Sequence, residues 1–254
     1  MSELDPGQLL RTLEIVVPAF LAGLLVLATH VPLGRQVLDR GIVFIDLAVA
    51  QVAGLGVVAA DFVGIEPDGW SVQASAVAAA LLTAALLVWT ERRLGQWQEA
   101  IIGVVFVAAA SAEIILLSFN PHGAEHLKDL LVGQILWVQV HDLIPVALVY
   151  AVILALMAAI DVERRRIVFY LLFAVAVTAS VQLIGVFLVF ASLIVPALAA
   201  KILAAKRQLA VAYAIGVLGY VAGLLSSVLL DLPTGPAIVC ALALLLVAAL
   251  LRRA

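Results

Sequence analysis

An all-α helical bundle that crosses a membrane eight or nine times is the fold class the sequence predicts, and three observations predict it. Of 254 residues, 66% are hydrophobic and 12% charged, with a mean hydropathy of +1.24, whereas water-soluble domains run near half apolar and a quarter charged. The apolar residues fall into successive stretches of the roughly 20 residues a helix needs to span the hydrocarbon. Basic residues gather at alternate ends of those stretches, the pattern of a multi-pass chain with a preferred orientation.

The opening MSELDPGQLLRTLE has Arg11 as its single basic residue and no basic region ahead of the apolar run, so a cleaved signal peptide is not expected. Spans follow near 12–33, 42–60, 72–90, 99–119 and 143–160. The run 167–200 is too long for one crossing and divides at Gln182 and Gly185 into 167–181 and 184–200. Spans near 209–230 and 236–251 complete nine crossings in one transmembrane domain over 1–254. The piece LLVGQILWVQV, 130–140, is too short to cross and reads as re-entrant or interfacial.

With the N-terminus outside, nine crossings place the C-terminus in the cytoplasm and most bases with it. These are Arg35, Arg40, Arg92, Arg93, Arg164, Arg165, Arg166, Lys201, Lys206, Arg207, Arg252 and Arg253, which is 12 of the 14. Arg11, Lys128 and the acidic turns with Asp61, Glu66, Asp68 and Asp231 fall outside, as the positive-inside rule prefers. Eight crossings would strand one group of arginines. Trp70, Trp89 and Trp97 lie at span ends, where indoles favour the headgroup layer.

The segment 182–201, QLIGVFLVFASLIVPALAAK, is interrupted by Gly185 near its start and Pro196 near its end, then thins to alanines before Lys201. It reads either as a kinked span packed among neighbours or as a helix end on which a partner docks.

Five polar residues lie within spans: His30, Asp46, Gln51, Glu113 and Gln182. Ionisable groups in hydrocarbon are costly and mark a pathway, a relay or a buried pair. Asp46 and Gln51 are five residues apart, so they project about 140° from each other. Ala48, Ala50, Ala53, Gly54 and Gly56 crowd that helix, as close interhelical packing requires. Asp46 reads as a functional acid or as an interfacial one paired with Arg40, and Glu113 as facing a cavity or donating to a neighbouring helix. A proton relay through Asp46 and Glu113, in a secondary transporter that uses no ATP, is one reading of the pair. A scaffold subunit that transports nothing is another.

In the outer loop, His122, Glu125, His126 and Asp129 are spaced to share one helical face, and imidazoles with carboxylates suit zinc or manganese. HGAEH also spells H-x-x-E-H, but a protease needs a third ligand and a cleft that this loop does not supply. The cluster therefore reads as a solvated loop or as a metal-capture vestibule. Cys240 is the single cysteine. It forms no disulfide within the chain and no thiolate cluster, and is expected to be packing. No Gly-Lys pair of a phosphate loop is present, and the basic residues are scattered at span ends, which gives nucleic acid no surface.

Five segments carry a family resemblance: VPLGRQVLDRGIVFIDLAVAQVAGLG, the start of the fourth span from Gln98 through Ile101, Ile102 and Gly103, LKDLLVGQILWVQVHDL, LIGVFLVFASLIVPALAAK and DLPTGPAIV. In order and spacing they resemble the permease subunits of the zinc/manganese/iron ABC-importer family, over most of the chain. The last two are the most specific. The resemblance implies a permease of the cytoplasmic membrane, in contact with lipid, that pairs with a second copy. It implies that a divalent metal arrives from an extracytoplasmic binding protein and that a separate ATPase subunit binds and hydrolyses ATP. The chain is then no enzyme itself and holds no tight cofactor. The resemblance also implies that the stretch from Pro196 through Ala199 and Ala200 leads into an ATPase-docking surface near 199–208, with Lys201, Lys206 and Arg207.

Two departures accompany the likeness. Members of the family carry an aspartate and a histidine four residues apart on the second helix, and alignment on the following glycine puts Leu47 and Gln51 there, with Asp46 one place early. Asp46, Gln51 and Glu113 are therefore the expected metal-route residues, and glutamine is a poor zinc ligand. The family's longer cytoplasmic segment near 161–166 is shortened here to DVERRR.

Overall fold

The structure, a computed structural model, describes residues 6–64, 70–119, 123–162, 164–204 and 206–253. Among the described residues ten α-helices follow one another: α1 (Pro6–Arg40), α2 (Ile45–Phe62), α3 (Trp70–Leu94), α4 (Gln98–Leu117), α5 (Gly123–Val132), α6 (Val140–Ala159), α7 (Arg166–Ile184), α8 (Val186–Ile202), α9 (Gln208–Leu230) and α10 (Thr234–Arg253). Among the described residues there is no strand, as expected where every backbone polar group must be satisfied within its own segment.

Among the described residues, seven stretches are long and apolar enough to cross a membrane by length and composition; one of them, Trp70–Leu117, contains both α3 and α4. The chain turns back between these two. Ser75 at the start of α3 bonds to the Gly56 carbonyl late in α2, so α2 and α3 are antiparallel. The Phe44 amide ahead of α2 donates to Glu99 at the start of α4, and Phe62 meets Phe119 at their far ends, so α2 and α4 are parallel. The reversal falls at the 3-10 turn Gly95–Trp97. The apolar but shorter α8 has 17 residues.

Helices therefore stand at each of the nine expected stretches, with shifted ends. The helix α1 runs on past 33 to Arg40, through Pro18 and Pro32. The short piece expected at 130–140 resolves into the end of α5, a left-handed Gly133 and the 3-10 turn Ile135–Trp137. The break expected in 167–200 falls at Gly185, whose φ of 77° ends α7. The second expected interruption does not occur, because α8 continues through Pro196 to Ile202. Inside a bundle, neighbouring helices compensate the bond a proline removes.

Helix α8 lies at the centre, against α1, α9 and α10, and most of it is buried. Its approach to α1 is close enough to need glycine: a Cβ on Gly34 would lie 1.9 Å from the Leu193 carbonyl oxygen. The outer helices leave apolar side chains exposed, such as Leu82, Val152 and Leu229, as a membrane bundle does. Cys240 is among the exposed residues, so the packing role expected of it does not hold. A helix in lipid is apolar on both its faces, and hydrophobicity alone does not separate core from lipid.

Candidate functional site: buried carboxylates, a polar joint and a basic end

One end of the bundle is laced together by polar contacts. Lys201 at the end of α8 pairs with Asp39 of α1 at 2.9 Å. Arg40 donates to the Val162 carbonyl at 3.1 Å, with its guanidinium 4.4 Å from the centre of the Phe169 ring. Arg166 faces Glu91 at 3.7 Å. Gln98 donates to Tyr170 at 3.2 Å and accepts from Thr90 at 2.9 Å. These contacts gather the ends of α1, α3, α6 and α8 with the starts of α4 and α7. Arg92, Arg93, Arg164 and Arg165 lie on the same end and are exposed.

The residues expected to couple to a partner divide in two. Pro196, Ala199 and Ala200 are buried and hold α8 in the bundle, presenting no side chain outward. Lys201, Lys206, Arg207 and Gln208 are exposed. Small residues let α8 stay packed to its last turn, and the charge follows where the packing stops.

Asp46 is the second residue of α2, fully buried, and both its oxygens lack a hydrogen-bond partner among the described residues. Gln51 is also buried, at 4% exposure. Glu113 of α4 is 1% exposed, again with both oxygens unpartnered among the described residues. Its carboxyl lies against the bare face of Gly54, where a Cβ would come 3.0 Å from Oε1. Gly54 is eight residues beyond Asp46, or ~12 Å along α2. The two acids therefore stand about two turns apart along α2 and do not form one centre.

A third polar group, not expected as a site from sequence, joins α1, α6 and α7. His30 Nε2 lies 3.1 Å from Ser180 Oγ, and Ser180 meets the Tyr150 hydroxyl; all three are buried. The signal available in the sequence was a lone histidine in an apolar run. Its partners lie 120 and 150 residues away, beyond the reach of any spacing argument.

At the end opposite the basic one, a cleft of about 800 Å3 opens between α3, α6, α7 and the Ile135–Trp137 turn, lined by Gln73, Gln134, Asp142, Thr178, Gln182 and two indoles, Trp70 and Trp137. Asp142 caps α6 by accepting from the Gln139 amide at 2.9 Å. Among the described residues no group of three His, Cys, Asp or Glu side chains is placed to hold a metal ion. His122 lies outside the described residues, as do the side chains of Glu125, His126 and Asp129, although the backbone of the last three is helical in α5.

A bundle with this element order has known counterparts. The chain is 21% identical to a chain of PsaBC from Streptococcus pneumoniae in complex with Fab, with a TM-score of 0.75 and coverage of 96% of this chain and 95% of that one. It is 24% identical to the high-affinity zinc uptake system membrane protein ZnuB of Haemophilus influenzae, over 94% of this chain and 98% of that protein. It is 26% identical to the manganese transport system membrane protein MntC of Halalkalibacterium halodurans, over 82% and 76% of the two. The family model of the ABC 3 transport family matches residues 12–160 and 154–253, nearly the whole length, and the chain belongs to that family.

Proposed function

We propose that the chain is the permease subunit of an ABC importer for a divalent transition-metal ion, zinc, manganese or iron. In this reading it sits in the cytoplasmic membrane beside a second copy, takes the ion from an extracytoplasmic binding protein and is driven by a separate ATPase subunit. The observation that carries it is Asp46, a fully buried carboxylate with no partner for either oxygen, in a chain of the ABC 3 transport family. An unpaired acid in a membrane interior is costly, and a dication passing beside it offsets that cost. The zinc and manganese uptake proteins among its relatives support the choice of cargo.

The rest of the molecule fits these roles. The cleft near Gln182 is the mouth through which the ion arrives. The basic end with Lys201, Lys206 and Arg207 faces the cytoplasm, as the positive-inside rule prefers, and receives the ATPase. ATP closure there rocks the bundle between outward-open and inward-open forms, which is alternating access.

The test is copurification and uptake together. Tagged chain from its own cells should bring down an ATPase subunit, and cells lacking the chain should regain uptake of radioactive zinc, manganese or iron when it is restored. Chain that stays free of any ATPase while uptake follows the proton gradient would establish a secondary transporter instead. Restored cells that take up none of the three metals would leave a scaffold.

A further inference from the structure

Asp46 stands in the first turn of α2, and that turn is held from outside the helix. The first amides of a helix have no acceptor within it, and the usual remedy is an oxygen on the side chain just before the helix. Here that residue is Phe44, which supplies none. The oxygen comes from α4 instead: the Phe44 amide donates to Glu99 Oε1 at 3.2 Å, from a residue 55 positions away in the chain. A carboxylate acceptor makes such a bond charge-assisted, and a negative charge suits the start of a helix. The Phe44 ring is held separately, stacked on Phe190 of α8 with centroids 6.4 Å apart and planes 6° from parallel. Asp46 itself has no hydrogen-bond partner at either oxygen among the described residues. Its direction is therefore set by the backbone that carries it and not by bonds to its own carboxyl.

We propose that Glu99 is a positioning residue for Asp46: it ties the first turn of α2 to α4, so that the buried carboxyl keeps one height and one direction in the path of the ion. The proposal rests on the metal-permease reading above, in which Asp46 meets the dication. Helix ends fray, and Asp46 follows Phe44 by only two residues. Each residue of a helix climbs about 1.5 Å and turns about 100°, so a slip of one residue at the start of α2 swings the Asp46 carboxyl onto another face. The Glu99 bond opposes that slip from the α4 side, and the Phe44–Phe190 stack opposes it from the α8 side. Glu99 acts through the backbone of α2, and the role needs an acceptor oxygen of the right reach, which an amide side chain also supplies.

The test uses the full chain restored to cells that lack it. Initial uptake of radioactive zinc, manganese and iron is measured and scaled to the amount of chain in the membrane. Glu99→Ala should lower the maximal rate at least about threefold with little change in the half-saturating concentration. Glu99→Gln should return it to within about twofold of wild type. On an Asp46→Asn background, Glu99→Ala should cost no more than about a further twofold, because no carboxyl remains to be misplaced. A merely structural residue would lower uptake by the same factor in both backgrounds, and that result overturns the proposal. So does a Glu99→Gln chain as impaired as Glu99→Ala, which assigns the effect to the charge. Full uptake by Glu99→Ala with Asp46→Asn impaired also overturns it and leaves the permease reading intact, whereas wild type that restores none of the three metals sinks both. If Asp46→Asn leaves no uptake to reduce, the comparison of Glu99→Ala with Glu99→Gln decides. If Glu99→Ala does not reach the membrane, Glu99→Asp replaces it, since it keeps the charge and retracts the oxygen by one methylene.

Discussion

Gly133 and Gly185 meet backbone to backbone: a Cβ on Gly133 would lie 2.2 Å from the Ile184 carbonyl, and one on Gly185 would lie 2.3 Å from the Gly133 nitrogen. Both have positive φ, 71° and 77°. The contact joins the turn beneath the cleft to the break between α7 and α8, and both glycines are forced by space as well as by conformation.

Gly133→Ala and Gly185→Ala should each carry about 1–3 kcal/mol of backbone strain together with a steric overlap that only backbone movement relieves. Gly64 is the control. It has φ 82° and nothing within 4 Å of its Cβ position, so Gly64→Ala carries the strain alone. Thermal unfolding followed by size-exclusion chromatography should show both joint variants melting well below Gly64→Ala, which itself melts slightly below wild type.

Asp46→Asn replaces a buried acid, unpartnered at both oxygens among the described residues, with a neutral group of the same shape. The change breaks no hydrogen bond, so the variant should be about as stable as wild type, while metal uptake falls at least tenfold. Measuring melting and uptake on the same preparations separates a functional acid from a structural one, since a structural acid would lose stability.

Lys201 and Asp39 are both about half exposed, and an exposed ion pair contributes only ~0–1 kcal/mol. Replacing Lys201, Lys206 and Arg207 with glutamate should therefore leave the fold intact. ATPase capture should drop severalfold or more, and wild-type capture should weaken as salt rises. Equal recovery of the ATPase with the triple variant would place the docking surface elsewhere.

Glu113 and Asp46 are two turns apart, so their substitutions should behave as separate steps. Glu113→Gln is expected to raise the half-saturating metal concentration with little change in maximal uptake, whereas Asp46→Asn lowers the maximum. Gly54→Ala, whose Cβ would press on Glu113 Oε1, should resemble Glu113→Gln in direction and be smaller. Initial uptake rates over a range of metal concentrations distinguish the two behaviours.

Much of the helix order was legible, because length against bilayer thickness and the placement of arginines are strong signals. Gly185 was readable as a break because a 34-residue apolar run has to turn somewhere and glycine supplies the positive φ. Pro196 was readable either as part of a span packed among neighbours or as the start of a docking end; it does not end the helix, because neighbours in a bundle hold a proline in place. Cys240 was misread because lipid and protein core present the same apolar surroundings to a side chain. Asp46 and Glu113 were visible as charges in apolar runs. The network around His30 was not, since it depends on how three distant helices pack.

Helix α8 runs unbroken for 17 residues, ~25 Å, with a contact to another element at each end. Lys201 ties its last turn to Asp39, and Gly185 seats its start against Gly133. A close-packed interior is nearly incompressible, so such a rod has little slack along its axis. In the proposed importer, a displacement at the basic end would therefore be passed along α8 to the floor of the cleft, in the manner of a piston rod.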